Sequence, residues 1–118
     1  GVLFWVAGFD ILYACQDTDF DRSQGLRSIP AVFGVPSALQ LSFFSHGNAA
    51  LFFLLAGWSA SLGAVYFLVW LGVSGVLLFE HRLVTADDLS RIDLAFFTLN
   101  GLIAVLLCVG VLGDLFWQ

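Results

Sequence analysis

Apolar residues fill this chain in four runs separated by three polar breaks. The first run covers residues 1–16, the second extends from about Ser37 to Trp58, the third from about Leu62 to Phe79, and the fourth from about Leu94 to Trp117. A helix needs about 20 mostly apolar residues to cross a bilayer, so the last three runs predict transmembrane helices. The first run would rise only about 22 Å, short of the roughly 30 Å hydrocarbon core. It predicts the second half of a span that begins outside the chain, and hence a segment of a longer membrane protein. The absence of methionine agrees with that expectation. No basic segment precedes the run and Asp10 interrupts it, which argues against a signal peptide.

The breaks predict their own structure. Residues 17–36 carry Gly25, Pro30, Gly34 and Pro36 as breakers. Within them Leu26, Ile29, Ala31, Val32 and Phe33 predict a short segment lying on the membrane surface. Ser59-Ala60-Ser61 predicts a tight uncharged turn. In the third break, Thr85-Ala86-Asp87-Asp88 has capping-box spacing. It predicts a surface helix from near Ala86 through Arg91 and Asp93, entering the membrane near Leu94. Inside the second run, Ser45, His46 and Asn48 must face other helices or a cavity rather than lipid. An interhelical hydrogen bond is the expected use of His46.

Composition turns this pattern into a class. The chain is 60% apolar and 11% charged, has no lysine, and has a mean hydropathy of +0.97. These values predict an all-α integral membrane protein and exclude a soluble magnesium-dependent terpene synthase. A net charge of −5 excludes nucleic acid as a partner, since that would require a basic patch. Cys15 and Cys108 are expected to be small buried hydrophobes, with no disulfide framework or zinc site. If the spans alternate in direction, the breaks at 17–36 and 80–93 share one face, and all four arginines (Arg22, Arg27, Arg82, Arg91) land on it. By the positive-inside rule that face is cytoplasmic. Trp58 and Trp117 fall at the opposite boundary.

Four of the nine acidic residues and two of the four arginines lie between Gly8 and Pro30. Extended as one helix at about 100° per residue, Asp17 lies about 20° to one side of Asp10 and Asp21 about 20° to the other. Carboxylates one turn apart repel each other, so a cation is expected between them. Magnesium commonly takes one or two carboxylates, with substrate phosphates and water completing its shell. Arg22 and Arg27 add donors suited to phosphate oxygens. Asp10 lies deeper, where ionisable groups are functional by default. Together these residues predict a phosphorylated or diphosphorylated substrate bound at the membrane surface.

The same residues carry a family pattern. Asp10-Ile-Leu-Tyr13-Ala14-x-x-Asp17-x-x-x-Asp21-x-x-x-Gly25-Leu26-Arg27-Ser28 resembles the second aspartate-rich motif of the UbiA superfamily of intramembrane prenyltransferases, and Ile29-Pro30-Ala31-Val32-Phe33-Gly34 continues the likeness. Asp87-Asp88-Leu89-Ser90-Arg91, followed by Ala95-Phe96-Phe97-Thr98-Leu99-Asn100-Gly101, is similar to the 4-hydroxybenzoate polyprenyltransferase branch, including members of the futalosine route to menaquinone. The resemblance implies nine transmembrane helices around a central cavity in a bacterial inner membrane, with the aspartate-rich loops cytoplasmic. Residues 1–118 would be the C-terminal part of that single domain, its last four helices with the first truncated.

The activity implied is transfer of a polyprenyl group from an isoprenyl diphosphate to a 4-hydroxybenzoate-like ring in ubiquinone or menaquinone formation. Asp17 and Asp21 would hold Mg²⁺ bound to the diphosphate, and Asp10 and Tyr13 would belong to the cavity. Arg27 stands where many members have lysine. With Arg22 and Ser28 it would contact the substrate or order the loop. The family also needs an earlier aspartate-rich loop. No N-D-x-x-D stretch occurs here and Asp87-Asp88 does not match one, so the missing N-terminal half is an expected partner and the chain alone is expected to be inactive.

Two other readings stand beside this one. A related enzyme could use a tetrapyrrole, homogentisate or glyceryl phosphate acceptor; Gly25-Leu26-x-Ser28-Ile29-Pro30 also resembles the chlorophyll-synthase branch. A cation transporter would instead distribute carboxylates along its spans near midmembrane. Here they gather at one surface, and only Asp114 lies towards the other.

Overall fold

Each long apolar run folds as a helix in the computed structural model, which describes residues 1–118. Helix α1 is Val2–Ala14, α4 is Val35–Ser59, α5 is Ala64–Leu83 and α6 is Asn100–Trp117, the last continuing a π-helical lead-in at Leu94–Leu99. Two short helices, α2 at Thr18–Ser23 and α3 at Ile29–Phe33, lie between α1 and α4. Three helical stretches are long and apolar enough to cross a membrane: Val35–Ser59, Ala64–Leu83 and Leu94–Trp117. Their outer faces carry Leu68, Leu71, Leu78, Val105 and Val109 exposed, a surface suited to lipid tails. The molecule is 55 Å in its longest dimension, enough to pass through the core and both headgroup layers.

Two apolar clusters hold the helices together. One, at the end bearing the polar loops, joins Leu12, Cys15, Ala38, Val84, Ile92 and Ala95. The other, further along the bundle, joins Val73, Leu77 and Ile103, with Trp5 packed against it. The first cluster brings the 17–36 and 84–93 connections to the same end, so the four arginines do share one end. Cys15 is buried, but Cys108 is exposed on α6 and both are free thiols. The rise and twist of α6 turn Cys108 away from the bundle, contrary to the expectation for it.

The opposite end is fixed by hydrogen bonds. At the α4–α5 turn, Leu62 N–H donates to the Gly57 carbonyl (2.9 Å) and Ser61 N–H to the Trp58 carbonyl (3.0 Å), with Ser61 at φ 53°. This is a Schellman cap with serine in the left-handed position. Helix α5 then starts without a side-chain cap of its own. Asp114, reaching across from α6, takes that part: its carboxylate accepts from Gly63 N–H (2.6 Å) and from Tyr66 N–H (3.4 Å). The one acidic residue near this face is therefore a helix cap supplied from a neighbouring helix, and it is only 2% exposed.

Between the two ends the interior is partly polar. His46 in α4 meets the last turn of α5, with Nδ1 2.8 Å from His81 Nε2 and 3.6 Å from Glu80 Oε2. The interhelical bond expected of His46 is present. Helix α5 continues a full turn beyond Phe79, which takes Glu80 and His81 into the bundle. Asn48 instead bonds the Phe44 carbonyl within its own helix.

The surface helix expected from Ala86 does not form. Thr85 Oγ1 does accept from Asp88 N–H (3.1 Å) as the capping-box spacing requires. However, Thr85 and Asp88 also pair backbone to backbone in a tight turn. Asp88 then accepts from the Ser90 hydroxyl (2.6 Å) and from Ser90 N–H (3.0 Å). Those bonds hold its carboxyl below the usual aspartate range, and they compete with helix for the same backbone. Helix begins only at Ile92.

Removing the shared cap tests this account. Asp114→Ala leaves two N–H groups at the start of α5 without acceptors, that of Tyr66 buried and that of Gly63 half-buried, and should cost about 2 kcal/mol of stability. Equilibrium unfolding in detergent should show this loss, whereas Asp114→Asn, which keeps an acceptor oxygen, should lose less.

Candidate active site

The site is carried on the exposed side of α1 and the loop that follows. Gly8, Leu12 and Cys15 make the buried side of this helix. The contact at Gly8 is close: Ser42 Oγ donates to the Gly8 carbonyl (2.6 Å) and the His46 ring lies where a side chain at Gly8 would be. At about 100° per residue, Asp10 falls well away from that face, and it is exposed.

Asp17 and Asp21 are not on the same continuous helix as Asp10. Residues Cys15–Asp17 tighten into a 3₁₀ turn and α2 starts afresh at Thr18. At about 120° per residue over three residues, the turn rotates α2 by about 60° relative to an unbroken helix. Thr18 stabilises the break by donating its hydroxyl to the Cys15 carbonyl (2.7 Å). No glycine or proline marks it in the sequence. The single stripe expected for the three carboxylates is therefore split, with Asp10 on one segment and Asp17 and Asp21 on the next.

Asp17 occupies the N-cap position of α2, a place aspartate normally uses to bond the first free N–H groups, yet it makes no capping bond. Its side chain is exposed, and that of Asp21 is half-exposed. No arginine lies within 4 Å of a carboxylate, the one acid–base contact being that of His46 with Glu80, so no salt bridge ties up either loop carboxylate. No group of three His, Cys, Asp or Glu converges anywhere. A magnesium ion using two carboxylates, with phosphate and water as further ligands, fits this donor set.

The rest of the loop is built from caps. Leu26 N–H donates to the Asp21 carbonyl (2.8 Å) and Gly25 N–H to the Arg22 carbonyl (3.3 Å), with Gly25 at φ 69°. This Schellman cap explains why glycine stands four residues after the second aspartate. Ser28 Oγ accepts from Ala31 N–H (3.3 Å) as N-cap of α3. Arg22 donates from Nε to the Ala31 carbonyl (3.1 Å) and from a terminal nitrogen to the Pro30 carbonyl (3.5 Å), tying α2 to α3. Arg27 is exposed between the two short helices. Tyr13 lies tilted over Phe96, centroids 4.3 Å apart. Among the expected site residues, then, Arg22 and Ser28 meet around α3, Tyr13 meets the last span, and Asp10, Asp17, Asp21 and Arg27 stand open. The sequence reading missed the rings around Tyr13; the only signal was the Phe96-Phe97 pair.

A model of the UbiA prenyltransferase family matches residues 1–112. The chain belongs to that family. It is 29% identical over 108 residues to the 4-hydroxybenzoate octaprenyltransferase of Sodalis glossinidius, covering 92% of this chain and 37% of that one. With the enzyme of the same name from Shewanella oneidensis it shares 34% identity over 98 residues, 82% of this chain and 34% of that one. The apo structure of a UbiA homologue from Aeropyrum pernix K1 superposes with a TM-score of 0.80 at 33% identity, over 95% of this chain and 39% of that one. The chain thus spans little more than a third of the length of these UbiA relatives.

The cap after Asp21 can be tested apart from any chemistry. Nothing lies within 4 Å of the position a Gly25 side chain would take, so Gly25→Ala pays only for the left-handed backbone. It should lose about 1 kcal/mol in an unfolding experiment, and Gly25→Asn less.

Proposed function

We propose that residues 1–118 form the C-terminal part of a single UbiA-type domain, the last four of nine membrane helices with the first one short. In this reading the whole protein transfers a polyprenyl group from an isoprenyl diphosphate to a 4-hydroxybenzoate-like ring in quinone biosynthesis. The observation that carries it is the pair Asp17 and Asp21, one turn apart and unbonded, at the end of the bundle where every arginine gathers. The positive-inside rule makes that end cytoplasmic, in the inner membrane of a bacterium.

In this reading Asp17 and Asp21 hold Mg²⁺, which when bound offsets negative charge on the diphosphate as it departs. Arg27, free of any partner in the chain, reaches the diphosphate oxygens as a planar donor. Arg22 and Ser28 act one step back: by capping α3 they fix the loop on which Arg27 stands. Asp10 and Tyr13 line the cavity deeper along α1. The apolar walls of the bundle exclude water from the allylic carbon while it carries positive charge. The remaining carboxylates of the diphosphate site belong to the N-terminal half.

Two measurements test the proposal. In the complete protein, Asp17→Asn and Asp21→Asn should each abolish magnesium-dependent binding of a non-hydrolysable prenyl diphosphate; binding that survives both changes would falsify it. The 118-residue chain by itself should give no prenyl transfer, and turnover by that chain with no complementing half would show that the diphosphate site is complete within it.

A further inference from the structure

The seam between α4 and α5 encloses a cavity of about 210 Å³. Its walls include Phe43, Gly47 and Ala50 from α4, and Trp70, Ser74 and His81 from α5. At spacings of three, four and seven residues, each set makes one stripe along its helix. Gly47 provides the room, because nothing lies within 4 Å of where its side chain would be. Trp70 closes the deep end, its indole N–H donating across the seam to the Ala50 carbonyl (2.8 Å). At the other end Phe43 and His81 meet edge-on, 5.4 Å between centroids. The same two rings border a wider groove of about 640 Å³ that is also lined by Gln40 and Thr85. The cavity is thus reached from the end of the bundle that bears the polar loops.

This place is separate from the acidic loop. Ser42 and His46 turn the neighbouring face of α4 to Gly8 of α1. Asp10 lies about 200° round α1 from Gly8, and so faces away from α4 and from the seam behind it.

Size and lining define what fits. An apolar cavity of about 150 Å³ takes one benzene ring, whereas drug-sized ligands occupy about 300–1,000 Å³. One substituted ring therefore fits here, and a fused or long-chain molecule does not. Phe43 and Trp70 supply aromatic walls, against which ring faces and edges pack favourably. No Asp, Glu, Lys or Arg borders the cavity, so a charged ligand would be buried without a counter-ion. Polar groups border it nonetheless. The Ser74 hydroxyl is shut off from solvent and has no partner in the chain, which is costly for a buried hydroxyl. At the mouth, His81 bonds His46 through Nε2 (2.8 Å), which leaves Nδ1 for another partner. A few polar groups in an otherwise apolar pocket are the usual mark of a ligand site.

We infer that this cavity is a binding site for an uncharged phenol, its ring packed against Phe43 and Trp70 and its hydroxyl bonded to that of Ser74. The site requires nothing of Asp17, Asp21 or the prenyl-diphosphate reading.

The test uses the complete protein, carrying its N-terminal helices, in phosphatidylcholine nanodiscs with a phenol bearing a para-alkyl diazirine. On illumination the label should attach within residues 43–50 and 70–81, as mapped by peptide mass spectrometry. 4-Ethylphenol should displace it at about one-tenth of the concentration needed of ethylbenzene, which lacks the hydroxyl, or of 4-ethylcyclohexanol, which lacks the flat ring. Gly47→Leu should fill the cavity and remove the label, and Ser74→Ala should weaken 4-ethylphenol about 5- to 10-fold. No label on these segments, or label that Gly47→Leu leaves unchanged, overturns the inference. Equal displacement by all three competitors also overturns it, and would make the cavity a slot for any apolar group, lipid tails included. The competition needs no variant, so it decides the matter even if a substituted protein fails to fold. None of these readouts involves prenyl transfer, so the phenol site and the diphosphate site stand or fall separately.

Discussion

The close approach of α1 to α4 at Gly8 sets the position of everything at the polar end. Interhelical hydrogen bonds inside membranes contribute about 0.6 kcal/mol on average, so the bond from Ser42 to the Gly8 carbonyl orients the helices more than it binds them. Forcing extra atoms into a filled contact costs about 1–3 kcal/mol, and the His46 ring already fills the space beside Gly8. Steric fit therefore outweighs the hydrogen bond in fixing the height and rotation of α1. Asp10 and Tyr13 lie on that helix and Asp17 follows it within a turn, so their directions are inherited from a contact on the opposite face.

Within the acidic loop, the side chains that hold the backbone are not the ones left open. Thr18, Gly25, Ser28 and Arg22 each satisfy a helix end or a carbonyl. Gly34 holds the junction of α3 and α4 at φ 89°, ψ 157°, a conformation essentially confined to glycine. The side chains of Asp10, Asp17, Asp21 and Arg27 take no part in this framework. A loop that satisfies itself without its carboxylates leaves them available to a ligand. Spacing alone could not make that distinction, because the aspartates and the capping residues are interleaved in one motif.

Much of the fold was legible because hydropathy reports it directly. The runs from Ser37, Leu62 and Leu94 became α4, α5 and the π-led α6 with ends shifted by a few residues, since twenty apolar residues in a row have few other solutions. What was not legible depends on groups distant in sequence. Asp114 is a cap only because α6 ends beside the start of α5. Glu80 and His81 read as the polar limit of a span until His46 is seen across from them. The break at Cys15–Asp17 carries no glycine or proline, and the turn at Thr85–Asp88 satisfies a capping box without making a helix. At the candidate site, the acidic residues could be chosen from their pattern, whereas the rings that pack against Tyr13 could not be picked from thirteen phenylalanines.

Glu80 and His81 also bear on how the chain enters the membrane. Glu80 is 1% exposed and its neighbour His46 3%, so neither reaches water once the bundle is closed. Both Glu80 and His81 sit in the last turn of α5, at the end where the arginines gather, and without α4 their carboxyl and imidazole would have no partner in the bundle. Synthesis delivers α4 first, with His46 already in place. The last turn of α5 therefore meets a partner already seated in α4, and the polar contact closes as the two helices come together.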